Sequence, residues 1–119
     1  MIKVSLIEDD ATMISLLKTL LEFEGFEVVE MLDDTLENVL AALHKVNPEV
    51  ALMDVNLRKI NGMDLLRALR KDPHMDKVKV IMCSGMDMRE DCLQAGASDF
   101  MLKPYMPDEL IASIRRVAN

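Results

Sequence analysis

The chain reads as an α/β protein with a five-stranded parallel sheet, and three observations lead there. Short apolar runs alternate with helical amphipathic patterns five times along the sequence. Such alternation implies a parallel sheet covered by helices on both faces. The runs themselves are nearly continuous in apolar residues, as strands buried on both faces are. Finally, most of the runs stop on a reactive or charged side chain. Val4 to Ile7 runs into Glu8, Asp9 and Asp10, and Val50 to Met53 runs into Asp54. Val78 to Cys83 runs into Ser84, and Phe100 to Leu102 runs into Lys103 and Pro104. In an open α/β sheet, ligands bind outside the carboxyl ends of the strands. Parallel strands would therefore gather at least three carboxylates, a hydroxyl and an ammonium at one edge.

The elements follow in order. Lys3 to Ile7 is a buried strand. Ile14, Leu17, Leu20 and Leu21 recur at helical spacing, which predicts a helix over 11–24 that Gly25 stops. Phe26 to Met31 is the second strand. Leu36, Val39, Leu40, Leu43 and Val46 give an amphipathic helix that Asn47-Pro48 ends. Val50 to Met53 is the third strand; Gly62 and then Leu65, Leu66 and Leu69 mark a third helix, closed by Asp72-Pro73. Val78 to Cys83 is the fourth strand, followed by a helix over 86–95 with a weak apolar face, ended by Gly96. Ser98 to Leu102 is the fifth strand. Pro107 opens the last helix, with Asp108 and Glu109 favouring the dipole of its first turn and Leu110, Ile111, Ile114 and Val117 on one face. Strands one, three, four and five carry the terminal polar residues and strand two does not. The order 2-1-3-4-5 puts strand two at an edge and brings Asp9 beside Asp54.

With 119 residues, one domain spanning 1–119 is expected. Half the residues are apolar and 29% charged, as in an ordinary globule, and no apolar run approaches a membrane span. The opening Met-Ile-Lys-Val-Ser enters a strand pattern at once and has no signal-peptide character. A net charge of −7 argues against direct nucleic-acid binding and reads as solubility. Cys83 and Cys92 share no metal-ligand or redox spacing and read as reduced thiols of a cytoplasmic protein. His44 and His74 stand alone in sequence and read as surface residues.

Clustered carboxylates repel one another, so such an edge wants a hard divalent cation with oxygen ligands. A lone Asp on the third strand, a metal, a hydroxyl and a lysine are the parts needed to handle a phosphoryl group. In this combination the chain resembles the receiver domain of two-component response regulators, and is similar to the single-domain chemotaxis type. The resemblance runs from Lys3 to the last helix. It rests on Glu8-Asp9, Asp54, Gly62, Ser84-Gly85 and Lys103-Pro104, each at its strand end or loop.

The resemblance implies a flavodoxin-like three-layer (βα)5 fold and a switch that catalyses its own phosphorylation and its own dephosphorylation. It implies Asp54 as acceptor of a phosphoryl group from a sensor histidine kinase or phosphotransfer protein. Asp9, Asp54 and the backbone carbonyl of Asn56 would hold Mg²⁺ (or Mn²⁺), with Glu8 acting through a water. Lys103 would pair with one phosphoryl oxygen and Ser84 would donate to another, with Gly85 keeping a side chain away. Phe100 would be an aromatic switch, turning inward as Ser84 moves. The output would be an effector protein or a C-terminal domain met through the helix 4, strand 5 and helix 5 face, or a phosphorylation-dependent homodimer. Neither nucleic acid nor membrane would be contacted directly.

Several residues have plainer readings. Asp10 is one acid beyond the pair and reads as the cap of the first helix. Asp64, Asp87, Asp91 and Asp99 read as solvated charges. The fourth helix has Leu93 as its only large aliphatic residue, with Met88 and Cys92 contributing, which suits an element of low local stability. Of the eleven methionines, Met82 and Met101 fit core strands; Met86, Met88 and Met106 read first as packing and second as an adaptable partner surface. Many relatives have Pro where Arg58 stands. Asn56 and Met86, two residues beyond Asp54 and Ser84, flank the phosphoryl site; in the family the chain resembles, these positions tune how fast water attacks the phosphate, and a bulky Met86 would hinder that water, while the plainer reading of Met86 is packing on its loop. A degenerate binding-only receiver would lack Asp54, Lys103 or the acidic pair. A haloacid-dehalogenase-like or toprim-like enzyme would need an Asp-x-Asp motif, which Asp54-Val55-Asn56 breaks.

Overall fold

The computed structural model describes residues 1–31 and 34–119. Five strands alternate with five helices: β1 (Lys3–Ile7), α1 (Ala11–Phe23), β2 (Glu27–Met31), α2 (Leu36–Val46), β3 (Val50–Asp54), α3 (Gly62–Lys71), β4 (Lys79–Ser84), α4 (Arg89–Gln94), β5 (Asp99–Leu102) and α5 (Pro107–Ala118). The strands form one parallel sheet in the order β2-β1-β3-β4-β5, the expected one.

Period-two alternation divides the strands between two apolar layers. Ala51 and Met53 of β3 and Val80 and Met82 of β4 pack with α2, α3 and α4. Val50, Leu52, Ile81 and Cys83 pack on the other face with Leu17 and Leu21 of α1 and Leu110, Ile111 and Ile114 of α5. Each fully buried Val, Leu, Ile or Met among them contributes roughly 1.5–3 kcal/mol by leaving water. Ser5 is the exception inside β1: its hydroxyl is buried with no hydrogen-bond partner.

Local chemistry sets the helix ends. Asp10 caps α1, accepting from the amides of Thr12 (2.9 Å) and Met13 (3.2 Å). Gly25, at φ +95°, ends α1 in a left-handed turn, with Phe26 N–H donating to the Leu21 carbonyl and Gly25 N–H to that of Glu22. Thr35 caps α2 and Asn61 caps α3.

The fourth helix departs from expectation. It covers Arg89–Gln94, not 86–95. Ser84 Oγ accepts from Met86 N–H and Asp87 Oδ1 from Arg89 N–H, so side chains hold the preceding backbone in turns and delay the helix. Its anchors also differ. Cys92 is fully buried and Met88 packs on the core, while Leu93 is exposed.

Strand register levels the site. Ile7 pairs with Met53 and Met53 with Met82, while Asp54 faces Cys83 and Ser84 faces Leu102. Glu8, just past β1, and Asp54, the last residue of β3, thus lie level with Cys83 of β4, with Ser84 one step beyond and Lys103 two.

Candidate functional site

Asp54 is buried at the end of β3 and is held at both oxygens. Oδ1 accepts from Asn56 N–H at 3.0 Å, and Oδ2 lies 2.5 Å from Lys103 Nζ. The same ammonium lies 3.6 Å from Glu8 Oε2. Glu8 is buried, and its Oε1 accepts from the amides of Asp9 and Asp10, both at 3.2 Å. Burial raises the Glu8 pKa, and the neighbouring Asp54 charge adds to this against the pull of Lys103. Burial also works against the Lys103 ammonium, but its hydrogen bond to Asp54 and the carboxylates around it win and hold its pKa above the ordinary lysine value. The Cys83 thiol behind them is pushed up to about 12 by burial, so it is a neutral packing group and no nucleophile at physiological pH.

Asp9 is placed at the mouth of the site, where its Oδ2 lies 3.3 Å from Arg58 Nε. Ser84 is buried at the end of β4. Its Oγ accepts from Met86 N–H (3.1 Å) and Asn56 Nδ2 (3.4 Å), so it starts engaged with its own loop and with the loop after β3. That second loop folds back through a bridge between Asn56 and Asn61. Gly62 then enters α3 hard against the acceptor strand: a Cβ there would lie 2.3 Å from the Asp54 carbonyl oxygen and 2.8 Å from Val55 Cα.

The donor set fits a hard cation. Among the described residues no three carboxylate, imidazole or thiolate side chains are grouped to hold a metal by themselves. The expected set draws on two carboxylates, Asp9 and Asp54, and one main-chain carbonyl, that of Asn56. Three protein oxygens with water completing the shell suit Mg²⁺, which keeps several of its waters.

Phe100 is 2% exposed, its ring already in the core layer with the Arg89 guanidinium 5.9 Å from its centroid. The inward turn expected of it has therefore no outward starting point here. Met86 is 69% exposed and does not pack on its loop.

Three features escaped the sequence. Asp99 is no solvated charge: its carboxylate receives Ser113 Oγ–H and Arg116 at 2.5 Å each, Arg89 at 3.5 Å and the Phe100 amide at 2.8 Å. Only the placement of Asp99 directly before the strand aromatic, with Ser113 and Arg116 three apart on α5, hinted at this. His44 and His74, unrelated in sequence, have ring centroids 6.1 Å apart, and His44 Nε2 lies 2.5 Å from Asp72 Oδ2. Beside Lys103 and Pro104 an apolar groove of about 620 Å³ opens between α1 and Tyr105, lined by Met13, Leu16 and Leu20. Leu16 is exposed although it belongs to an apolar stretch.

A doubly wound sheet in this order, with acids, a hydroxyl and an ammonium gathered at one carboxyl edge, defines a class of domain: the phosphoacceptor switch. The chain belongs to the response regulator receiver domain family, whose profile matches residues 4–115. It is similar to the transcriptional regulatory protein CpxR of Escherichia coli K12, at 39% identity over 116 residues, covering 97% of this chain and 48% of that protein. It is also similar to the DNA-binding response regulator MtrA of Mycobacterium tuberculosis H37Rv, at 32% identity over 116 residues, covering 95% of this chain and 49% of that protein. The chain thus spans about half the length of the curated relatives it matches. Among solved structures, the chemotaxis response regulator CheY4 of Vibrio cholerae superposes with a TM-score of 0.87 at 23% identity over 98% of each chain, a likeness of fold. The BeF3-activated N-terminal receiver domain of RstA from Klebsiella pneumoniae gives 0.86 at 25% identity, again over 98% of each chain. The chain is a phosphoacceptor receiver of two-component signalling and a switch rather than an enzyme of the ordinary kind. Receivers of this family generally use Mg²⁺ at the phosphorylation site. None of the described helices is long and apolar enough to cross a membrane.

Proposed function

We propose that Asp54 is the phosphoacceptor and that residues 1–119 work as one cytoplasmic receiver unit. The observation that carries this reading is the Lys103 ammonium held 2.5 Å from Asp54 Oδ2 at a carboxyl edge shared with Glu8 and Asp9. An oxygen of Asp54 attacks the phosphorus of a phosphohistidine. The new O–P bond forms as the P–N bond breaks, and its electron pair leaves with the imidazole. Catalysis of this transfer is mostly positioning and electrostatics. Asp9, Asp54 and the Asn56 carbonyl would hold Mg²⁺, with Glu8 reaching it through a water; when bound, the ion offsets charge on the transferring group. Lys103 pairs with a phosphoryl oxygen, a role its contact with Asp54 supports. Ser84 donates to another oxygen after giving up its contacts with Met86 and Asn56. Water attack on the acyl phosphate, in the same site, returns the switch to rest.

The donor is a sensor histidine kinase or phosphotransfer protein. The apolar groove between α1 and Tyr105 includes Lys103, the partner of Asp54, in its lining, which supports docking of such a donor there. The output is an effector protein or a C-terminal domain reached through the α4, β5 and α5 face, or a homodimer formed there on phosphorylation. Relatives about twice as long, one of them named as DNA-binding, support an output domain of that kind.

The test is incubation with a small phosphodonor and Mg²⁺, followed by intact mass. Wild type gains one phosphoryl mass and Asp54→Asn gains none. Equal labelling of Asp54→Asn would remove the assignment.

A further inference from the structure

Arg58 stands on the loop between β3 and α3. Its Nε lies 3.3 Å from Asp9 Oδ2, with the arginine side chain 80% exposed and the aspartate 16%. We propose that Arg58 is a resident counter-cation of the acidic site, which a divalent cation has to displace from Asp9, so that this arginine sets the affinity of the site for Mg²⁺. The inference rests on the reading of Asp9 as a metal ligand.

The argument starts from the distribution of charge. Three carboxylates, Glu8, Asp9 and Asp54, meet two cations. Lys103 serves Glu8 and Asp54. Asp9, the acid nearest to solvent of the three, is paired with Arg58. The resting site is therefore close to electrically balanced, and a double positive charge entering it gains less than it would from three carboxylates and a lysine alone. The contact is also geometric. Arg58 Nε sits on Oδ2 of the carboxylate a metal would use. An ion binding that oxygen must either expel the guanidinium or sit beside a like charge.

Exposure decides the size of the effect. An ion pair whose guanidinium is this open to water is screened and weak. Arg58 thus tunes affinity without closing the site. Its release has a second consequence. The Arg58–Asp9 pair ties the loop after β3 to the loop after β1, and both carry oxygens expected of the site. Metal entry exchanges that tie for coordination by Asp9, so this link between the two loops belongs to the resting site and is lost in the loaded one.

The experiment is calorimetric titration of the whole chain with Mg²⁺ alone, in wild type, Arg58→Ala, Arg58→Lys and Asp9→Asn. Arg58→Ala is expected to bind Mg²⁺ about three- to ten-fold more tightly than wild type, the range open to a partly screened single charge. Arg58→Lys keeps the charge on a compact ammonium that lacks the planar fork, and falls between the two. Thermal unfolding in chelator confirms that each variant is folded. Equal or weaker Mg²⁺ binding by Arg58→Ala, with Asp9→Asn clearly weakened, overturns the role of the arginine and leaves the metal site standing. Wild-type binding that Asp9→Asn does not weaken, or no binding by wild type, overturns both.

Discussion

Lys103 Nζ lies 2.5 Å from Asp54 Oδ2 and 3.6 Å from Glu8 Oε2, so a single ammonium serves two buried carboxylates on neighbouring strands. β1, β3 and β5 deliver these three groups, and β4, between β3 and β5, passes beneath the lysine with Cys83 and Ser84. Removing the ammonium leaves two like charges facing each other out of reach of bulk water. Lys103→Met is therefore expected to cost about 2 kcal/mol in urea unfolding with chelator present. The same variant should lose phosphoryl acceptance from a small phosphodonor. An unchanged unfolding midpoint would show that the pair contributes nothing to the resting fold.

Gly62 carries a prediction of opposite character, because it is steric. A methyl group there has to push aside backbone, the carbonyl of Asp54 and the Cα of Val55, rather than a flexible side-chain tip. Gly62→Ala should destabilise by about 3 kcal/mol, at the upper end of ordinary overpacking. It should also displace the acceptor carboxylate and slow labelling. A variant as stable as wild type would mean that α3 can slide away from β3 without penalty.

Ser5→Ala should do the reverse. The Ser5 hydroxyl is buried in β1 without a partner, beside Ala51 of β3 and Val29 of β2. A buried hydroxyl left unpaired costs about 1–3 kcal/mol. Removing it should raise the midpoint of thermal unfolding, and a lower midpoint would mean that the hydroxyl has a partner after all.

What the sequence made legible follows from the range of each interaction. Strand runs, Gly25 as a helix stop, Asp10 as a cap and the gathering of Glu8, Asp54, Ser84 and Lys103 at strand ends are local patterns plus one topology rule. The sheet order needed only the observation that the second strand carries no terminal polar residue. The start of α4 was misread because Ser84 and Asp87 spend their oxygens on the amides of Met86 and Arg89, a competition that apolar periodicity does not register. Asp99 and Arg58 were missed for another reason. Their partners, Ser113, Arg116 and Asp9, are brought to them by tertiary structure, and a charged residue looks the same in sequence whether or not it finds one.

Asp99 supplies a pH dependence. Burial acts to raise its pKa, but Ser113, the Phe100 amide, Arg116 and Arg89 outweigh it and hold the carboxylate below its ordinary value. The folded state thus binds the proton less readily than the unfolded state. The stabilisation is present above the ordinary carboxylate pKa, about 4, and is lost as pH falls through the lower folded value. Glu8 works the other way: its raised pKa makes stability fall as pH rises past the ordinary glutamate value. Asp99→Asn should therefore be less stable than wild type at pH 7 by about 1–2 kcal/mol, with the gap closing below pH ~4. Glu8→Gln should gain on wild type as the solution is taken from pH 4 toward neutrality. Denaturant unfolding at a series of pH values in chelator checks both, and a gap for Asp99→Asn that stays constant down to acid pH would contradict the first.

Signal transmission should run through α4. This helix covers only Arg89–Gln94, lacks a side-chain cap, and leaves Leu93 exposed. Arg89 ties it to the next strand: it donates to the Phe100 carbonyl at 2.9 Å, reaches Asp99 and lies over the Phe100 ring. When Ser84 turns toward a phosphoryl group it gives up Met86 N–H, the first hydrogen bond of the turn that leads into α4. The turn and the helix then share one change, with Phe100 and Arg89 adjusting beneath it rather than an exposed ring swinging in. Hydrogen exchange with and without beryllofluoride should show altered protection over 84–96 and 98–106, and much less over α2 on the other side of the acceptor strand. Arg89→Ala should speed exchange in α4 before any phosphate mimic is added, and so shrink the difference the mimic makes. Protection changes confined to the loop after Asp54, or largest in α2, would mean that this chain signals by a different route.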